Sequence, residues 1–141
     1  MKALDPVSRI MTSNLVKLNY DDQLTKAEDL FKKHKIRHLP VVRANQVIGM
    51  LSYTDLQKVC FADQGDDAET NIETVVYNAF TLEQVMSKQV LTVFPWTPIK
   101  EVAILLSEAN FNALPVVEHD KLVGIVTTID LLKYYISQYE E

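Results

Sequence analysis

The chain has 141 residues, 48% of them hydrophobic and 23% charged, which is enough for one globular domain or for two small halves that share a core. This composition excludes a disordered chain of low hydrophobicity, and no apolar run approaches the ~18 residues that a membrane span needs. The net charge of -5 disfavours a nucleic-acid surface. Because the N-terminus lacks the apolar stretch of a secretory signal and Cys60 is the only cysteine, we expect a cytoplasmic protein that does not contact membranes.

An internal repeat organises the sequence. When the chain is shifted by 75 positions without a gap, ten residues between 11 and 61 coincide with identical ones, among them 39–42 with 114–117 and Gly49 with Gly124. We therefore interpret the chain as a duplicated unit of about 60 residues. The first copy with its N-terminal helix covers 1–61, an acidic connector covers 62–79, and the second copy covers 80–141.

Both copies show the same predicted elements in the same order: a short helix, a short strand, a longer helix, a hairpin of two apolar strands and a final helix. We expect Asp22 and Thr97 to cap the longer helices and Pro98 to take the first helical position. The first copy places the elements that follow its short helix at 15–18, 24–34, 38–42, 46–51 and 53–61. The second copy places them at 90–93, 99–109, 114–117, 122–126 and 128–139.

The final helix of each copy begins with a hydroxyl and a carboxylate three residues apart. Ser52 precedes Asp55 and Thr127 precedes Asp130, which is the spacing of a capping box. The pattern predicts a cap at the start of both final helices, either as the only role of these side chains or together with a second one.

Each copy, with the order β-α-β-β-α, leaves one apolar face of its sheet uncovered. We therefore expect a mixed α/β (α+β) fold in which the two copies pack sheet to sheet about a pseudo-two-fold axis. The connector at 62–79 lacks Lys and Arg and is expected to be exposed.

The ordered motifs resemble the tandem cystathionine-β-synthase (CBS) domain pair, also called a Bateman module. The resemblance rests on Leu-Pro-Val-Val, a hairpin, and Gly-x-h-[Ser/Thr]-x-x-Asp-Leu, which occurs at 49–56 and again at 124–131. It covers essentially the whole chain and implies a freestanding module. It further implies a regulatory protein that binds an adenosyl ligand such as AMP, ADP, ATP or S-adenosylmethionine, with no other cofactor.

The resemblance implies a main nucleotide site around Asp55. There the aspartate would bind the ribose, Ser52 and Thr54 would donate hydrogen bonds near the ribose and phosphate, and two basic side chains would bind the phosphate. The basic residues are Arg37 and His38. The adenine would lie near Ser87, Leu91, Phe111 and Asn112 of the other copy.

A second site would lie around Asp130 and Thr127, with adenine near Thr12, Val16 and Ile36. The second copy has Asn112 and Ala113 where the first has Arg37 and His38, so it lacks these phosphate ligands. The distribution of charge agrees, because residues 1–60 carry ten Lys and Arg against six Asp and Glu, whereas 81–141 carry four against eight. We therefore expect a phosphorylated nucleotide at the Asp55 site, and a weaker or less charged ligand, or none, at the Asp130 site.

Two other functions compete with nucleotide sensing. A structural or protein-interaction module with empty clefts is the main alternative. No phosphate-binding glycine loop or catalytic motif is present, so we do not expect an enzyme. We expect no metal, because His34 ends a helix and His38 begins a strand, which keeps them off a common face. The resemblance further implies a homodimer, because family pairs associate through their helices, with helices 24–34, 53–61, 99–109 and 128–139 as candidate surfaces. A ligand shifts an equilibrium only by its difference in affinity for two states, so a sensor also needs a bistable element or an effector protein as partner.

Overall fold

A computed structural model describes residues 5–62, 79–109 and 111–140. A 3-10 helix, Val7–Arg9, comes first, and most of the predicted connector lies outside the described residues. The helices are α1 (Leu24–His34), α2 (Tyr53–Ala62), α3 (Leu82–Val85), α4 (Ile99–Glu108) and α5 (Thr128–Ser137). The strands are β1 (Leu18–Asn19), β2 (His38–Arg43), β3 (Gln46–Ser52), β4 (Ala113–Glu118) and β5 (Lys121–Thr127). The mixed α/β class is therefore confirmed, and no helix among the described residues is long and apolar enough to cross a membrane.

Two hairpins of the same design form the strand pairs. β2 pairs with β3 and β4 with β5, both antiparallel, and each ladder has one register shift at equivalent positions. The two turn residues have positive φ in both hairpins, 51° and 65° at Ala44 and Asn45, and 53° and 61° at His119 and Asp120. Positive φ at both positions is the signature of a type I′ turn, whose twist matches that of the strands.

The predicted first strands are longer than the observed ones. In the first copy β1 contains two residues that pair in parallel with β2, and in the second only Val93 forms a bridge, to Val116. Leu18 and Val93 are buried, whereas the residues just before them are exposed or half-buried. The β-branched composition therefore predicted strands that are too long, because only one side chain in each segment is buried in a core.

The predicted caps of the longer helices are wrong. α1 begins after Gln23 and α4 after Pro98, so neither Asp22 nor Thr97 is the N-cap residue. Instead the Asp22 carboxylate accepts a hydrogen bond from the backbone N–H of Asn19, and Thr97 Oγ1 accepts one from the N–H of Phe94. Both side chains thus close the turn that precedes the helix, as Asp and Thr side chains commonly do.

The described residues form two compact units whose boundaries differ from those of the sequence copies. The central unit is Val16–Val90, and the terminal unit combines Met1–Leu15 with Leu91–Glu141. The central unit therefore includes α3, which precedes the second copy, and the terminal unit includes the 3-10 helix, which precedes the first. Each short helix belongs to the unit that holds the other copy's hairpin.

The short helices contribute to the cores of their units. In the central unit Leu82 and Met86 are buried in the cluster formed by α1, β2, β3 and α2, and in the terminal unit Val7 is buried in the equivalent cluster. Backbone hydrogen bonds also connect the residue after α3 to the hairpin, because Ser87 and Met50 of β3 form two hydrogen bonds with each other. Thr12 exchanges two with Ile125 of β5 in the same way.

Candidate functional site

The predicted residues of the Asp55 site divide between the two units. Six of them belong to the central unit: Arg37, His38, Ser52, Thr54, Asp55 and Ser87. The three other residues predicted to contact adenine, Leu91, Phe111 and Asn112, belong to the terminal unit. The predicted Asp130 site divides likewise, with Thr12, Thr127 and Asp130 in the terminal unit and Val16 and Ile36 in the central one.

The junction of β3 and α2 positions the candidate residues of the central unit. The N–H of Asp55 donates to Ser52 Oγ at 3.0 Å, and the N–H of Ser52 donates to Asp55 Oδ2 at 3.2 Å. These two bonds are the predicted capping box, so the capping interpretation is confirmed. Only Oδ2 takes part in the cap, which leaves Asp55 Oδ1 without a hydrogen bond to any described residue.

The backbone brings two basic residues to this junction. His38 is paired with Ser52 in the β2–β3 register, and the carbonyl of Arg37 accepts a hydrogen bond of 2.8 Å from the N–H of Tyr53. Asp55 is close enough to His38 to influence its titration. Ser87 approaches the same strand through its hydrogen bonds with Met50. The predicted residues of the central unit are therefore arranged along one end of the hairpin.

His38 contributes a hydrogen-bond donor more than a positive charge. Burial lowers the pKa of His38 below its ordinary value, the Asp55 carboxylate opposes this shift, and the Arg37 guanidinium adds to it. The ring is therefore predominantly neutral near pH 7. The permanent charge at this end of the hairpin comes from Arg37, whose side chain is exposed.

Two lysines that the sequence interpretation did not select lie beside Arg37. Lys32 and Lys35 line a hollow of about 270 Å³ together with Arg37 and with the apolar groups of Phe31, Ile36 and Tyr53. The signal was present in the sequence as the basic run 32–38, but strand and helix periodicity do not tell which of its members share a surface. Lys32 is paired with Glu28 at 2.6 Å, so Lys35 and Arg37 are the two cations of the hollow that favour an anionic ligand.

The terminal unit repeats the junction without the basic residues Arg37 and His38. Thr127 and Asp130 form the predicted capping box at the start of α5, with distances of 3.2 and 2.9 Å. The carbonyl of Asn112 accepts a hydrogen bond from the N–H of Thr128, as that of Arg37 does from Tyr53. The backbone geometry is thus the same, and the side chains that replace Arg37 and His38 are neutral.

Among the described residues, no group of three or more His, Cys, Asp or Glu side chains is arranged to hold a metal ion. His34 ends α1 and His38 begins β2, as expected from the sequence.

Known proteins are similar to this chain in fold and in sequence. The family model for the CBS domain matches residues 7–61 and 82–137. The crystal structure of AcuB from Vibrio cholerae is 30% identical, with a TM-score of 0.80 and coverage of 97% of this chain and 94% of AcuB. The CBS domain pair of protein MJ0100, in complex with 5′-methylthioadenosine and S-adenosyl-L-methionine, is 26% identical, with a TM-score of 0.79 and coverage of 96% and 98%.

Much longer proteins also contain a similar segment. A homoserine O-acetyltransferase from Methanococcus vannielii is 32% identical over 118 residues, which cover 83% of this chain and 22% of the acetyltransferase. Other curated relatives are matched over about a quarter to a third of their length. The similarity therefore concerns one segment of these proteins.

Proposed function

Because the chain belongs to the CBS domain family, we propose that it is a regulatory module that binds an adenosyl ligand and transmits this binding to an effector protein. The ligand-bound MJ0100 pair supports the ligand class, since both of its ligands contain adenosine. The module itself would carry out no reaction, and the match to an acetyltransferase covers too little of that enzyme to argue otherwise.

The β3–α2 junction is the observation that carries this proposal. Asp55 presents a carboxylate oxygen that the cap does not use, on a half-buried side chain beside the N-terminus of a helix. A carboxylate accepts hydrogen bonds from both hydroxyls of a ribose. We infer that Asp55 binds the ribose, with Ser52, Thr54 and Ser87 as its polar neighbours.

A phosphorylated nucleotide such as AMP, ADP or ATP fits the Asp55 site best. Arg37 and Lys35 supply positive charge, and His38 supplies a neutral donor. Leu91, Phe111 and Asn112 stay the predicted contacts of the adenine. The Asp130 site, with Thr127, Thr12, Val16 and Ile36, is proposed as the weaker one because Asn112 and Ala113 replace its basic residues.

We infer that the module acts as a homodimer, with α4 and α5 as its interface. Ile104 is 44%, Leu132 56% and Ile136 54% exposed, and α5 has no buried residue. α4 and α5 also line an apolar groove of about 600 Å³. α1 instead exposes charged side chains, among them Lys26 and Lys32 in ion pairs with Asp22 and Glu28. Charged residues are depleted from the centres of interfaces, so α1 is the poorer candidate surface.

A dimer interface of this kind would couple ligand binding to regulation. A ligand shifts the equilibrium between two states only by its difference in affinity for them. We therefore expect AMP to alter the dimer geometry or the affinity for an effector, and not merely to stabilise the fold.

The proposal is tested by measuring unfolding temperatures with adenosine, AMP, ADP, ATP and S-adenosylmethionine. A ligand at about 100 times its Kd raises the free energy of unfolding by about 2.7 kcal/mol. Arg37→Ala is expected to lower the affinity for AMP and ATP more than the affinity for adenosine. An equal loss of affinity for all three ligands would show that Arg37 does not bind the phosphate.

The alternative function is a protein-interaction module with empty clefts. The exposed apolar surface of α4 and α5 favours it, because such patches mark association sites whether or not a small molecule binds. If none of the adenosyl ligands stabilises the protein, this alternative replaces the sensor.

A further inference from the structure

Two exposed aromatic side chains stack on each other in the terminal unit, in the turn that precedes α4. The rings of Phe94 and Trp96 are nearly parallel, with 8° between their planes and 5.0 Å between their centroids. Phe94 is 48% and Trp96 61% exposed. Single exposed apolar side chains need no explanation, whereas contiguous ones indicate an interaction site.

Hydrogen bonds hold this turn in place. The N–H of Phe94 donates to Thr97 Oγ1 at 2.9 Å, and the N–H of Thr97 donates to the carbonyl of Phe94 at 3.0 Å. The 3-10 helix supports the turn as well, since the N–H groups of Val7 and Ser8 donate to the carbonyls of Thr97 and Pro95. The rings are therefore presented on an ordered support, which lowers the entropic cost of binding a partner.

The stacked pair is separate from the capping box of the terminal unit. Val93 pairs in parallel with Val116, so the residues that follow Val93 run towards the turn of the β4–β5 hairpin. The capping box lies at the other end of this hairpin, where Ala113 pairs with Thr127. The stacked pair thus forms a surface of its own.

The first copy shows which group binds an aromatic ring at this place in the fold. Shifted by 75 positions, the turn 94–97 corresponds to 19–22 and Glu118 corresponds to Arg43. In the first copy the guanidinium of Arg43 lies over the ring of Tyr20, 4.2 Å from its centroid. The electron-rich face of the ring attracts the cation, so this ring is already occupied by an arginine of its own unit.

The second copy has a carboxylate where the first has this arginine. The N–H of Val117 donates to the carbonyl of Val93 at 2.8 Å, and this register places Glu118 beside Pro95, between the two aromatic residues in the chain. The Glu118 side chain is 42% exposed, and its Oε2 lies 3.9 Å from Nε2 of the exposed His119 ring. No cation lies over the stacked rings among the described residues.

The charge around the stacked pair also favours a cationic partner. The hairpin turn carries the carboxylates of Glu118 and Asp120 against the ammonium group of Lys121. The second copy as a whole has eight Asp and Glu against four Lys and Arg. Because an indole attracts a cation more strongly than the other aromatic rings do, Trp96 and the acidic turn attract the same kind of group.

We propose that Phe94 and Trp96 bind an arginine side chain of a partner protein, with Glu118 as the carboxylate that pairs with its guanidinium. Arginine fits better than lysine, because the planar guanidinium stacks on a ring while its N–H groups donate to a carboxylate. The inference deepens the proposed function, since it names the chemistry by which the module recognises its effector protein.

The test measures binding of the dye-labelled peptide Gly-Arg-Gly-Arg-Gly to the full chain by fluorescence anisotropy at low salt. Citrulline in place of arginine keeps the shape of the side chain and removes its charge, and it should abolish binding. Because Trp96 is the only tryptophan, the unlabelled arginine peptide should also change the intrinsic emission of the protein in a saturable way.

Variants identify the surface that binds the peptide. Trp96→Leu is expected to lower the affinity roughly 3- to 10-fold, the usual range for a cation–π contact, and Glu118→Gln roughly 2- to 5-fold. Glu118→Arg restores the residue of the first copy and should prevent binding, because it places a cation of the same unit at the rings. Tyr139→Leu is the matched control, since Tyr139 is 72% exposed elsewhere in the terminal unit, and it should leave the affinity unchanged.

Equal binding of the arginine and citrulline peptides, or equal binding by Trp96→Leu and the unmodified protein, would overturn the proposal. If Trp96→Leu does not fold, Glu118→Gln and Glu118→Arg decide, because they change an exposed carboxylate, and unchanged affinity in both would contradict the proposed site.

Failure of this inference differs from failure of the proposed function. If AMP stabilises the protein but the arginine peptide does not bind, the arginine site is wrong and the sensor stands. If the peptide binds through Trp96 and no adenosyl ligand stabilises the protein, the arginine site stands and the interaction module replaces the sensor.

Discussion

At the scale of single residues, Ser52 with Asp55 and Thr127 with Asp130 serve the fold and the candidate sites with the same atoms. Each aspartate accepts from the N–H of its own cap residue through Oδ2 and keeps Oδ1 for another partner. The sequence could predict this pair of caps because the spacing alone defines it. It could not tell that Lys35 lies beside Arg37, since the hollow that both residues line exists only in the folded chain.

The two aspartates should have equal structural but unequal binding roles. We expect Asp55→Ala and Asp130→Ala each to lower the free energy of unfolding by about 1 kcal/mol, because each removes one capping hydrogen bond. Only Asp55→Ala should abolish the tighter of the two AMP binding events. Urea denaturation and calorimetry of both variants measure this, and loss of the tighter event in Asp130→Ala would reverse the ranking of the sites.

His38 should make stability fall on mild acidification. Burial lowers the pKa of His38 in the folded protein below its ordinary value of 6.5. As the pH falls below 6.5, His38 therefore takes up a proton in the unfolded chain before it does so in the folded one. Neutral His38 makes its full contribution to the free energy of unfolding above pH 6.5, and this contribution is lost as the pH falls towards and through the pKa of His38 in the folded protein. Free energies of unfolding from pH 8 to 5 should therefore fall less in His38→Gln.

His34→Gln is the control for this pH series, because His34 is exposed at the end of α1. An identical pH profile for His38→Gln and the unmodified protein would show that the buried imidazole does not contribute.

At the scale of elements, the hairpins could be predicted in detail and the attachment of the short helices could not. Apolar runs separated by two or three polar residues define the hairpins locally. Nothing local in the sequence of the 3-10 helix or α3 says which hairpin it packs against. The same holds for the caps of α1 and α4, where Asp22 and Thr97 satisfy the preceding turn instead of the helix.

A glycine in each hairpin permits this attachment. A Cβ atom at Gly49 would collide with the side chain of Met86, and one at Gly124 would lie 2.6 Å from Met11 Sδ. The same glycine–methionine contact thus occurs in both units, and the shift of 75 positions relates Gly49 to Gly124 and Met11 to Met86. The methionine fills the space that a side chain on the strand would occupy.

Gly49→Ala should therefore destabilise the protein by about 1 to 3 kcal/mol, the usual cost of overpacking a core. In the Gly49→Ala background, Met86→Ala should cost less than in the unmodified protein, because it removes the overlap. Urea denaturation of the four proteins gives the coupling energy. Additive effects would show that the two side chains do not compete for space, and the Gly124 and Met11 pair offers an independent repetition.

At the scale of the whole molecule, helices from the two copies differ in surface chemistry although the copies share one repeat. The exposed face of α4 and α5 is formed by isoleucine, leucine and tyrosine, whereas α1 exposes Lys26, Lys32 and Lys33. The family resemblance implied all four helices as candidate association surfaces, because it does not distinguish among them. Which face stays uncovered depends on packing, which the periodicity does not report.

Leu132→Lys should dissociate the proposed homodimer. It places a cation on an apolar surface that would face its own copy, and burying an unpaired charge is costly. Sedimentation velocity should show a monomer, with the unfolding temperature of the monomeric unit retained. Lys33→Glu on α1 is the matched change of charge and should leave the dimer intact. A dimer that persists in Leu132→Lys would exclude this interface.

The exchanged short helices bear on how the chain can be divided. A fragment cut at the end of the first copy, after residue 61, keeps α1 and its hairpin but loses Leu82 and Met86, two buried members of their core. A fragment of 16–90 keeps all of them. The segment that contains a complete core is therefore not the segment that was duplicated, and a fragment of 16–90 is the one to express when a single unit is wanted.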